Sequence, residues 1–112
     1  MIKITVYSRQ DQYTGFRSEG HAGYAEEGYD IICAAVSVLS VNLVNSIEEF
    51  TEDGMDVTSG DGLIELRLDG ELSQEGQLLM RSYILGVQSV QKTYGNEYIE
   101  LVFKEEIGRA HV

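Results

Sequence analysis

The sequence predicts an α+β fold: a mixed or antiparallel sheet of about five strands with two helices, in the order ββαββαβ. Three observations carry this reading. Apolar residues alternate with polar ones near the N-terminus, over residues 63–69 and again near residue 100. Two longer segments, beginning near Asp30 and Ser73, are too long and too continuously apolar or helically spaced to be strands. Glycine-containing turn signals divide the segments. The chain has 112 residues, one domain's worth, and shows no repeat, linker or low-complexity stretch.

Ile2, Ile4 and Val6 face one way and Lys3, Thr5 and Tyr7 the other, a half-buried strand. Arg9 to Gln12 is a polar turn, and Tyr13 to Gly20 reads as a second strand paired back on the first. A loop follows, with Gly20, Gly23 and Gly28 inside nine residues. Asp30 then offers an N-cap that would accept from the amides of Ile32 and Cys33. The helix it opens is apolar around nearly its whole circumference, so burial on most sides is expected, with fading near Glu48 to Phe50. Met55–Ser59 and Leu63–Asp69 form a hairpin about Gly60-Asp61-Gly62. Ser73 opens a second helix with an apolar stripe of Leu79, Tyr83, Val87, Val90 and Tyr94. Gly95 stops it, where a left-handed residue is wanted. Ile99, Leu101 and Phe103 make the last strand.

Hydrophobic residues form 43% of the chain, enough for a packed core, which argues against disorder. No apolar run is expected to reach the length of a membrane span, and no signal peptide is evident, so a cytoplasmic protein is expected. Nineteen acidic against eight basic residues give a net charge of −11. With no basic stripe this argues against direct nucleic-acid binding. The same charge would speed encounter with a basic protein, although acidity also serves plain solubility. One cysteine and two histidines exclude an internal disulfide and the usual zinc arrangements; no metal and no cofactor are expected.

Chemistry concentrates between Gly20 and Ser37. With Asp30 as cap, Cys33 falls in the first helical turn, where free amides and the helix dipole favour a thiolate and offer donors to an oxyanion. His21, twelve residues earlier, is the candidate base. Ser37 lies one turn after Cys33 on the same face. Asp30 has two candidate roles, as helix cap or as the group orienting the imidazole. Each residue also has an ordinary reading. A lone cysteine in an apolar helix is more often an inert small hydrophobe. A histidine after glycine is commonly a surface residue, Ser37 a small packing residue, and His111 a tail residue. Cys-x5-Arg phosphatase chemistry fails because position 39 is Leu, and thiol redox lacks a second cysteine.

Gly20-His21-Ala22 followed by Gly28-Tyr29-Asp30-Ile31-Ile32-Cys33-Ala34-Ala35-Val36-Ser37 resembles the signature of the bacterial ribosomal-processing cysteine protease Prp family. The resemblance implies one peptidase domain over residues 1–112, with Cys33 as nucleophile and His21 as base. Asp30 and Ser37 match supporting positions, and Gly20, Ala22, Gly23 and Gly28 match a mobile substrate loop. It further implies a cysteine endopeptidase that removes the N-terminal extension of a large-subunit ribosomal protein during ribosome maturation, acting as a cytoplasmic homodimer. The partner expected is a basic ribosomal protein, with no nucleic acid and no membrane. The competing reading is a non-catalytic ribosome-associated binding module with a structural, buried Cys33.

Overall fold

The computed structural model describes residues 1–20 and 27–106, the stretch 27–30 in its backbone alone. Five strands and two helices follow in the expected order: β1 (Ile2–Arg9), β2 (Gln12–Glu19), α1 (Glu27–Phe50), β3 (Gly54–Gly60), β4 (Leu63–Asp69), α2 (Gln74–Tyr94) and β5 (Ile99–Glu105). They build one mixed sheet of strand order β3-β4-β2-β1-β5. All neighbours are antiparallel except β1 and β5, which run parallel with Ile2 opposite Ile99.

The alternation read from the sequence decides the layering. Ile2, Ile4 and Val6 lie opposite Ile99, Leu101 and Phe103 on one side, and Ile4 and Val6 lie opposite Ser18 and Phe16 on the other. Phe16 continues to Leu66 on β4. This face carries the core, where Ile4, Val6, Phe16 and Leu66 are fully buried with Ile32, Ile47, Met80 and Val87 of the helices. The opposite face is a ladder of ions. Arg17 pairs with Glu19 and Glu65 (3.3 and 3.5 Å), and Arg67 pairs with Glu106 (2.6 Å) while its guanidinium stacks 3.7 Å above the Tyr7 ring. The β1–β2 turn is tight. Gln10 and Asp11 both take positive φ (53° and 66°), the twist that a two-residue hairpin needs, here adopted without glycine.

Three expectations change. First, α1 is not buried on most sides. Ile32, Val36, Ser40, Leu43 and Ile47 form one buried stripe at spacings of three and four, whereas Ile31, Val38 and Val41 stand 54%, 67% and 49% exposed. A two-layer fold has sheet on only one side of each helix, which leaves the other side uncovered. Second, Ile31–Phe50 is, by length and composition, long and apolar enough to cross a membrane, with mean hydropathy 1.7. Its serines and asparagines interrupt every apolar run yet lower the average too little to prevent this. Third, the buried stripe of α2 is Gly76, Met80, Tyr83, Ile84 and Val87. Leu79 and Val90 are only partly buried and Tyr94 is 42% exposed, because α2 packs on both the sheet and α1 and its buried arc is turned accordingly.

The caps of α2 follow local chemistry. Ser73 accepts from the Gly76 amide through its Oγ (2.9 Å) and donates to Asp53 (2.8 Å), tying the helix start to the end of the α1–β3 connection. At the other end Gly95 has φ 97° and ψ 160°, positive φ but not the left-handed helical turn expected, and its amide bonds the Gln91 carbonyl at 2.7 Å.

Candidate active site

Cys33 is half-buried, packs against the core cluster, and lines a cleft of about 330 Å³. The cleft lies between the N-terminal half of α1 and the sheet edge formed by the end of β2 and the β3–β4 hairpin. Cys33, Val36, Ser37, Ser40 and Val41 come from α1, with Ser18 and Gly20 from β2 and its end, and Ser59, Gly60, Gly62, Leu63 and Ile64 from the hairpin. One cysteine among apolar groups and hydroxyls is the arrangement of a nucleophile kept accessible beside small polar side chains.

Two of the sequence-predicted residues meet here directly. Cys33 and Ser37 are one helical turn apart, and both face the cleft. Gly20 joins them from the sheet. Its φ is +101° and a side-chain carbon would run into the Met1 carbonyl, so only glycine fits. Its amide donates to the Gly62 carbonyl at 2.9 Å, so the residue that precedes His21 is pinned to the hairpin, not part of a free loop. His21, Ala22 and Gly23 lie outside the described residues, as does His111.

The helix start corrects the expectation for Asp30 and Gly28. Because α1 begins at Glu27, Gly28 is its second residue and Asp30 its fourth, so Asp30 does not occupy the N-cap and Gly28 belongs to the helix. A glycine suggests a break because it disfavours helix interiors, yet that penalty of about 1 kcal/mol is tolerated at an end. Cys33 is then the seventh helical residue. The unpaired amides of residues 27–30 lie about 4.5 to 9 Å back along the axis at 1.5 Å per residue. Cys33 thus lies beyond the first turn, outside the stretch in which the dipole effect is strongest.

Sequence reading missed Ser40 and the hairpin wall. Ser40 is fully buried two turns beyond Cys33, and its hydroxyl shares a 2.9 Å hydrogen bond with Tyr83. Tyr83 packs its ring 4.6 Å from that of Phe16, and burial pushes its phenol well above the usual range, against the opposing hydrogen bond from Ser40. The spacing Cys33, Ser37, Ser40 was visible as one helical face; the Ser59 to Ile64 wall was not, because only the β2–β4 pairing brings it there. Among the described residues no three His, Cys, Asp or Glu side chains gather as a metal site.

An accessible thiol in a cleft on a two-layer α+β fold defines a candidate thiol hydrolase. The profile of the family described as Cysteine protease Prp matches residues 1–100. The chain belongs to this cysteine protease family. Among its relatives, the ribosomal processing cysteine protease Prp of Staphylococcus aureus (strain Mu50) is 30% identical over 105 residues, covering 92% of this chain and 97% of that protein. The protein of the same name from Bacillus subtilis is 29% identical over 101 residues, covering 84% and 90%. The S. aureus Prp structure in complex with a substrate peptide superposes with a TM-score of 0.85 at 28% identity, covering 93% of this chain and all of that one. A Streptococcus mutans structure gives 0.75 at 28% identity, covering 95% and 96%.

Proposed function

We propose that this cysteine protease removes the N-terminal extension of a large-subunit ribosomal protein during ribosome maturation. The observation that carries the reading is the Cys33 thiol, which lines the cleft in a chain matched almost end to end by ribosomal processing proteases. In this mechanism the Cys33 thiolate attacks the scissile carbonyl carbon, forming a C–S bond. The proton taken by His21 passes to the leaving amine as the C–N bond breaks. Water, deprotonated by His21, then hydrolyses the thioester, releasing the acid and restoring the thiol. In this reading Ser37, one turn from the thiol, hydrogen-bonds the thiolate or a substrate group.

The net charge of −11 favours encounter with a basic ribosomal protein and disfavours nucleic acid as a direct partner. The protein acts in the cytoplasm without a membrane, its apolar α1 spending one face on the core. The exposed Ile31, Val38 and Val41 of α1 support a homodimer.

The test is incubation with the ribosomal protein carrying its extension, read by mass spectrometry. Wild-type protein yields one shortened product. Cys33→Ala and His21→Ala yield none while keeping native circular dichroism. Cleavage by Cys33→Ala would overturn Cys33 as the nucleophile, and no cleavage by the wild-type protein would leave the non-catalytic module as the better reading.

A further inference from the structure

Among the described residues, five charged ones adjoin cleft-lining residues in sequence: Lys3, Arg17, Glu19, Asp61 and Glu65. Three of these are neutralised. Arg17 binds Glu19 and Glu65, and Glu65 also faces Arg67 at 3.7 Å. Lys3 alternates onto the ion-ladder face, opposite Glu19 and Glu100. Asp61 alone remains, an exposed carboxylate with no ion-pair partner among the described residues.

Its position is fixed by backbone. Gly60 and Gly62, on either side of it, both line the cleft. Gly60 pairs with Leu63 to close the hairpin, Gly62 turns with φ 69°, and the Gly62 carbonyl accepts from Gly20. Asp61 therefore sits between two cleft-lining glycines, on a turn tethered through Gly20 to the end of β2, so little ordering of the backbone is lost when it meets a partner. Among the described residues, the cleft lining itself carries no charged side chain.

We infer that Asp61 is a specificity-determining residue, whose carboxylate takes the ammonium or guanidinium of a Lys or Arg in the peptide held beside Cys33. The inference rests on the proteolytic reading above and adds to it a position at which substrate charge is read. An exposed ion pair of this kind corresponds to a preference of about two- to fivefold.

The experiment uses peptides spanning the cleaved junction, each with Lys or uncharged norleucine at one position, and the wild-type, Asp61→Asn and Asp61→Lys proteins. In wild type, Lys at one position lowers KM about two- to fivefold with kcat unchanged, and the advantage shrinks at about 1 M salt. Asp61→Asn loses the preference, and Asp61→Lys transfers it to a peptide with Glu at that position. A Lys preference of equal size in wild type and Asp61→Asn, or none at any position in wild type, overturns the role of Asp61 while cleavage itself stands. Failure of the wild-type protein to cleave any of the peptides overturns the proteolytic reading, and this inference with it.

Discussion

At the scale of single residues, the floor of the cleft is set by a hydroxyl pair. Ser40 and Tyr83 share a buried hydrogen bond, so removing one partner strands the other in an apolar setting. Tyr83→Phe is expected to lower stability by about 1–2 kcal/mol in urea denaturation, with Ser40→Ala added to it costing little more, since the stranded hydroxyl is then gone too. Glu106 provides a pH signature. Burial alone would raise its carboxyl pKa, but the Arg67 hydrogen bond and charge, with Thr14 and Arg9, hold it below the ordinary value. A carboxyl with a lowered native pKa stabilises above its unfolded pKa, and that stabilisation is lost as pH falls through the native value. Wild type and Glu106→Gln should therefore differ in Tm near neutrality and converge on acidification below about pH 4. Both partners are partly exposed, so the difference is a small one. Cys33 and Ser37 were legible in the sequence because their relation is local to one helix. Ser18 and Ile64 were not, since they reach the cleft only through pairing between distant strands.

At the scale of elements, period and punctuation were enough to find all seven, because each carries its own alternation or helical spacing between glycine-bearing turns. The start of α1 was not legible. Asp30 is a better cap by composition than anything before it, and Gly28 looks like a break, yet the helix runs back to Glu27. The rotation of the α2 stripe was hidden for a different reason: α2 also meets α1, where Tyr83 bonds Ser40 and Gly86 lies beside Leu39, and one helix's sequence does not reveal two neighbours. The start of α2, by contrast, follows its capping residue. Ser73→Ala removes the bond to Gly76 and leaves Asp53 with only the Ser73 amide, so a loss of about 1 kcal/mol and a lower Tm are expected by calorimetry.

At the scale of the whole molecule, two apolar layers meet on one face of the sheet, and on the outer side of α1 Ile31, Val38 and Val41 stand exposed among the described residues. Placing a charge at Val38, near the middle of this exposed side, tests the homodimer: Val38→Glu should sediment as a monomer at concentrations where wild type sediments as a dimer. A dimer unchanged by that substitution would move the interface elsewhere. The parallel pairing of β1 with β5 has a bearing on how the protein is made. β1, made before β5, cannot fill its second edge until the strand beginning at Ile99 has been synthesised. Until then the border of Ile2, Ile4 and Val6 that β5 covers has no native partner, and an open strand border is where nascent sheets recruit the wrong neighbour. Completion of the sheet is thus a late event in the making of the domain.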